Sequence, residues 1–172
     1  MNWNDSYLAL FERCLGKYKD GNKDFTTYYS DEDLGFLASI GYKPREFFDF
    51  VEDFAEGGDP TPSTAVLVAS ARRDFFTVVQ EGEASKAEPV TGDSIPGKPE
   101  AMDGITYLPR ILAKARAKLR GELDPDLMFC CGGDRKFLRE NGNLHPADFL
   151  RRVWAAEDDD QQIADWIKSQ KG

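Results

Sequence analysis

The sequence predicts an all-α protein built of two tandem related helical units, about four helices each, sharing a core and joined by a Pro/Gly-rich linker. Three observations predict it. Apolar residues recur at i, i+3, i+4 and i+7 along most of the 172 residues, which is the period of an amphipathic helix. Residues 81–104 lose that period and fill with Pro, Gly and charge, the composition of a linker. The breakers and caps of the first 80 residues return in the same order about 100 residues later. The expected division is a first helical repeat at 1–80, a linker at 81–104 and a second helical repeat at 105–172.

The first helix is expected over roughly residues 5–19, with Tyr7, Leu8, Phe11, Leu15 and Tyr18 inward. Asp20-Gly21-Asn22-Lys23-Asp24 breaks it. Phe25 to Tyr29 reads as an aromatic, extended connector, since Thr and Tyr favour strands. Ser30 is a suitable N-cap, followed by three acids in the first turn, Asp31-Glu32-Asp33. That short helix carries Leu34, Phe36, Leu37 and Ile40 and stops at Gly41. Pro44 fits the first turn of the next helix, where a missing N–H costs nothing. Phe47, Phe48, Phe50, Val51 and Phe54 make this helix apolar over most of its surface. Thr61 caps a fourth helix with Val66, Ala69, Phe76 and Val79 on its apolar side.

The second half opens on the most regular stretch of the chain, Leu108 to Gly121. Leu108, Ile111, Leu112, Ala115 and Leu119 make one apolar stripe, and Gly121 ends the helix. Arg110, Lys114, Arg116, Lys118 and Arg120 occupy the rest, with no acid before Glu122. Like charges at i, i+4 cost a few tenths of a kcal/mol, roughly, per pair, so something anionic is expected to compensate. The candidates are carboxylates of the same chain or an external anion. Among internal acids, Glu52, Asp53 and Glu56 or the nearer Asp158 and Asp159 are the expected partners of Arg110, Lys114 and Arg116. Cys130-Cys131-Gly132-Gly133 reads as a loop, followed by a helix from Asp134 with Phe137 and Leu138 inward. Pro146 starts another helix with Phe149, Leu150, Val153 and Trp154 inward. Asp158-Asp159-Asp160 caps the last, whose apolar face is Ile163, Trp166 and Ile167.

The halves align with two single-residue gaps. Tyr7, Leu8 and Gly21 match Tyr107, Leu108 and Gly121. Asp33, Phe36, Leu37 and Gly41 match Asp134, Phe137, Leu138 and Gly142. Pro44, Phe47 and Val51 match Pro146, Phe149 and Val153. The shared order of breakers and caps makes an internal repeat the expectation.

The second half also resembles a bacterial family described only as a domain of unknown function. The resemblance lies in Leu108-Pro109-Arg110, Lys114-Ala115-Arg116, Leu119 and Gly121, then in Cys131, Asp134, Phe137-Leu138, Phe149, Val153 and Trp166-Ile167. It covers most of residues 104–168. In the first half Ala9 and Leu10 replace the Pro and Arg of the pattern, so that half looks like a copy without the basic face. The resemblance implies a fold and brings no activity with it.

Composition narrows the classes further. A hydrophobic content of 41% can bury a core, and a net charge of −9 argues against nonspecific nucleic-acid binding. The charge is uneven: residues 1–80 hold 8 basic and 14 acidic residues, whereas residues 101–172 hold 12 of each. Met1-Asn2-Trp3-Asn4-Asp5 has neither a basic lead nor an apolar core, so no secretory signal is expected. The longest apolar run, near Ala65-Val66-Leu67-Val68-Ala69, is far short of a membrane span. Three cysteines, Cys14, Cys130 and Cys131, make no disulfide framework and fit a reducing cytoplasm.

Few residues carry recognisable chemistry. His145 is the only histidine, and its place before Pro146 suits a cap. Cys130-Cys131 lacks the spacing that chelates zinc, and no metal is expected. No phosphate loop or dinucleotide fingerprint is present, so no cofactor is implied. Cys131 lies beside Gly132-Gly133, near a helix N-terminus and the basic helix, a setting that suits a nucleophile or redox sensor. One of the two adjacent cysteines as a small core residue is the simpler alternative. The leading reading is a noncatalytic module that meets a protein partner or a small anionic ligand through Arg110, Lys114 and Arg116. The alternative is a cytoplasmic enzyme of unknown reaction that uses the same basic residues and Cys131.

Overall fold

The computed structural model describes residues 2–171. Met1 and Gly172, the outer ends of the two expected repeats, lie outside them. Eight α-helices dominate the described residues, with one 3-10 turn and one two-stranded hairpin. The protein is therefore mostly helical rather than all-α. It divides into two compact units, Met1–Ala84 and Ser85–Gly172.

The first unit contains α1 (Trp3–Lys19), α2 (Asp31–Ser39), α3 (Pro44–Gly57) and α4 (Pro62–Val78). Asn2 starts α1 two residues earlier than expected, because its side chain accepts a hydrogen bond from the Asp5 N–H at 3.0 Å. The stretch from Phe25 to Tyr29 is a 3-10 turn over Phe25–Thr27, not an extended connector. The Asp24 carboxylate accepts from the Thr26 N–H at 3.1 Å and from its hydroxyl at 2.6 Å, which bends the chain locally. Ser30 and Asp33 form a reciprocal capping box on α2. The core joins Tyr7, Phe11 and Cys14 of α1 to Phe47, Phe48 and Val51 of α3 and to Val68 and Phe76 of α4. Tyr7 and Phe47 meet edge to face with centroids 4.9 Å apart. Burial pushes the Cys14 thiol up to about 11. Leu8, expected inward, and Val79, expected on the apolar side of α4, are exposed, as is Leu34 of α2. On α1 the buried stripe runs through Tyr7, Leu10, Phe11, Cys14 and Tyr18, and Leu8 falls beside it.

Arg72 of α4 is fully buried. Its Nε donates to the Gly41 carbonyl at 2.9 Å and its Nη1 to Gln80 Oε1 at 2.6 Å, with the guanidinium 5.1 Å from the Phe76 ring. Gly41 adopts a left-handed φ of 71° at the end of α2. A Cβ there would lie 2.7 Å from Phe76 Cγ and 2.9 Å from Arg72 Nη2.

The second unit holds α5 (Leu108–Arg120), α6 (Gly132–Glu140), α7 (Pro146–Ala156) and α8 (Asp160–Gln170). The stretch 81–104 is not featureless. Strands β1 (Ala101–Met102) and β2 (Ile105–Thr106) pair antiparallel across Asp103-Gly104, both with positive φ, which is the geometry of a two-residue hairpin turn. Val90 forms a parallel bridge with Leu123, so residues from Ser85 onward belong to this unit. Gly132 and Gly133, expected in a loop, open α6. Leu108, Ile111, Leu112, Ala115 and Leu119 are all buried, together with Phe149, Leu150 and Val153 of α7 and Ile163 and Ile167 of α8. His145 caps α7, accepting from the Ala147 N–H at 3.1 Å, and Asp159 caps α8. No helix among the described residues is long and apolar enough to cross a membrane.

Gly41→Ala is expected to destabilise the first unit by about 2–3 kcal/mol, the sum of left-handed strain and a clash with buried atoms. Gly21→Ala, also left-handed at φ 95° but facing open space, is expected to cost about 1 kcal/mol. Urea unfolding of both variants measures the difference.

Candidate functional site

The helix expected to show one apolar and one basic face does not do so. Lys114 and Lys118 are 2% and 1% exposed, so α5 is covered around most of its circumference. Lys114 reaches Asp134, the third residue of α6, whose side chain is fully buried. Its Nζ donates to Asp134 Oδ2 at 2.6 Å and to Cys131 Sγ at 3.2 Å. The same Oδ2 accepts from the Cys130 N–H at 2.8 Å, and Oδ1 accepts from the Tyr107 hydroxyl at 2.8 Å. The carboxylate thus receives three donors, from Lys114 within α5, from Tyr107 at the N-cap of α5 and from Cys130 just before α6. A position near the N-terminus of α6 adds the favourable helix dipole. Burial, and then the adjacent Asp134 charge, push the Tyr107 phenol well above the usual tyrosine range.

Backbone geometry around this cluster is unusual. Tyr107 (φ 76°) and Cys130 (φ 73°) are both left-handed without being glycine, a conformation that persists only where its surroundings impose it. At Cys130 it turns the N–H to Asp134. Gly133 supplies the space: a Cβ there would sit 3.0 Å from the Tyr107 hydroxyl oxygen and 3.9 Å from Cys131 Sγ.

Beside Tyr107 lies a cleft of about 430 Å³, lined by Lys98, Ile105, Tyr107, Lys136, Phe137 and Lys171 among others. The rings of Tyr107 and Phe137 stand 5.7 Å apart at 36°. Lys136 is 3.9 Å from Glu140, and both are exposed.

The three basic residues singled out by the sequence take three different partners. Lys114 is inside the cluster. Arg110 Nη1 donates to the Pro96 carbonyl at 2.8 Å. Arg116 Nη2 donates to Asp160 Oδ1 at 2.5 Å and to the Glu157 carbonyl at 2.9 Å. The expected carboxylates Asp158 and Asp159 are displaced by one residue, because Asp159 is occupied in capping α8. Asp134, read only as a helix-start acid, is the partner that sequence reasoning missed. The lysines of the cleft were missed as well. They come from the presumed linker, from α6 and from the chain end, and no periodicity connects them. Among the described residues no three His, Cys, Asp or Glu side chains are grouped to hold a metal ion.

Residues 96–172 match a family described as a domain of unknown function (DUF5069). The match takes in the hairpin, the Lys114–Asp134 cluster, the cleft and helices α5 to α8. No curated protein and no solved structure matches the chain.

Lys114→Met is expected to destabilise the second unit by about 3–5 kcal/mol, since it strands a buried carboxylate. The double variant Lys114→Met/Asp134→Leu removes both charges and is expected to recover about 2 kcal/mol of that loss. A double-mutant cycle in urea, with Trp154 and Trp166 reporting on this unit, measures the coupling.

Proposed function

We propose that the chain is a noncatalytic helical module that binds a small anionic ligand in the cleft beside Tyr107. The observation that carries this reading is the lining: Lys98, Lys136 and Lys171 around an apolar wall of Ile105, Tyr107 and Phe137, with Glu140 as a counter-charge. Three ammonium groups against one carboxylate favour an anion, and the volume lies within the range of small-molecule sites. Arg110, Lys114 and Arg116 serve this site indirectly. Arg110 holds the Pro96 carbonyl two residues from Lys98, Lys114 holds Tyr107 through Asp134, and Arg116 ties α5 to the start of α8. A cytoplasmic location fits three cysteines that no disulfide joins.

The reading includes descent of the two units from one duplicated helical unit. In each, a cation of the long first helix reaches an Asp at the third position of the short second helix: Arg13 to Asp33 and Lys114 to Asp134. In each, a left-handed glycine, Gly41 or Gly142, then precedes a helix begun by proline. A second reading, an enzyme that uses Cys131, is favoured by the contact between Lys114 Nζ and Cys131 Sγ.

Titrating the ¹⁵N-labelled chain with phenyl phosphate tests the binding reading. Shifts are expected at the amides of Thr106, Tyr107, Gly133 and Lys136. Lys98→Glu/Lys136→Glu is expected to weaken binding by about tenfold or more, roughly 1.4 kcal/mol, and added salt to weaken it in the parent. Shifts scattered over surface lysines, or binding indifferent to the charge reversal, would contradict the proposal.

A further inference from the structure

The contact between Lys114 and Cys131 carries a consequence that is independent of the cleft's occupant. The amine is 2% exposed and fixed by a fully buried carboxylate at 2.6 Å, so its Nζ cannot move far from Cys131 Sγ at 3.2 Å. The two atoms come from different elements, α5 and the N-cap of α6. Cys14 and Cys130 are buried, whereas Cys131 is part-exposed. Of the three thiols, then, the one most open to a dissolved oxidant is the one with a primary amine against it.

We propose that Cys131 is an oxidative modification site at which a sulfenic acid, formed by a hydroperoxide, is captured by Lys114 as a sulfenamide crosslink between α5 and α6. In the first step the Cys131 sulfur attacks one peroxide oxygen. An S–O bond forms and the O–O bond breaks. The sulfur loses two electrons, and the peroxide is reduced, its leaving oxygen taking the thiol proton to become water or an alcohol. In the second step Lys114 passes one ammonium proton to Asp134 Oδ2, with which it already shares a hydrogen bond. The neutral amine attacks the sulfenic sulfur. The S–N bond forms, the S–O bond breaks, and the departing hydroxide takes a second amine proton to leave as water. Asp134 keeps the first proton, so no unpaired charge is left in the interior. Two low-molecular-weight thiols reverse the link. The first attacks sulfur and frees Lys114, and the second releases Cys131 as a thiol. The Asp134 carboxylate that changes protonation also accepts the Tyr107 hydroxyl, so the oxidation alters the wall of the cleft.

The test is peptide mapping of the full chain after brief treatment with hydrogen peroxide and digestion with trypsin without reductant. The expected product joins residues 111–116, uncut after Lys114, to residues 121–135, at a mass lower than the two separate peptides by two hydrogen atoms. Dithiothreitol is expected to dissolve it, and Cys131→Ser to abolish it. Lys114→Arg, which keeps a cation opposite Asp134, is expected to leave a Cys131 sulfenic acid that dimedone labels. Three results would overturn the proposal: a dimedone adduct on Cys131 of the parent chain without the crosslink, a disulfide between Cys130 and Cys131 confined to residues 121–135, or a Cys131 that stays reduced while the other thiols oxidise. Circular dichroism of each variant before oxidation separates a lost crosslink from a lost fold.

Discussion

Asp134 is a carboxylate with no access to water, and much of the second unit follows from that constraint. An ionised carboxylate taken from water into a protein interior costs several kcal/mol unless a cation and further donors replace its hydration. Lys114 supplies the cation, and the Tyr107 hydroxyl and the Cys130 N–H supply the donors. Each makes a structural demand. Lys114 has to point inward, so α5 is covered on the side where its sequence looks solvated. Cys130 has to turn left-handed to aim its N–H. A glycine at 133 leaves the Tyr107 hydroxyl in place, since a Cβ there would lie only 3.0 Å from its oxygen. Two stretches distant in sequence, 107–114 and 130–134, are thereby held at one point.

The first unit solves a related problem with the opposite charge. Its most deeply buried charged side chain is Arg72, and the neighbours that receive it include a carbonyl, a glutamine oxygen and an aromatic face. The first unit also joins a cation of α1 to the aligned aspartate, Arg13 to Asp33, but Arg13 falls one residue before the position that aligns with Lys114, and its side chain is 55% exposed. An exposed pair of that kind contributes roughly 0–1 kcal/mol and is screened by salt.

The helices were legible because their ends are written locally. Pro44, Pro62 and Pro146 stand in first turns, Ser30 and Asp33 reciprocate, and His145 and Asp159 cap. The stripe of α5 from Leu108 to Leu119 was legible for the same reason, since period alone fixes which residues share a face. The hairpin was written as plainly, in Asp103-Gly104 between Ala101-Met102 and Ile105-Thr106, but the Pro and Gly around it read as linker composition. The site was a different matter. A periodicity argument counts Lys114 as polar and places it outside, and only the identity of its partner, 20 residues on, reverses that. Neither residue's local sequence announces the other. The cleft is likewise assembled from Lys98, Lys136 and Lys171, which are neighbours only after the hairpin, α6 and the chain end have been placed.

The central claim is that, in the reduced protein, the Lys114 ammonium is a water-excluded partner of Asp134. Its most direct measure is the side-chain ¹⁵N–¹H signal of lysine ammonium groups in the labelled protein at neutral pH. Exposed lysines exchange their protons with water too fast for such signals to persist. The account predicts a persistent, slowly exchanging signal assigned to Lys114 that is lost in Asp134→Asn. A Lys114 ammonium that exchanges as fast as those of the surface lysines would contradict it.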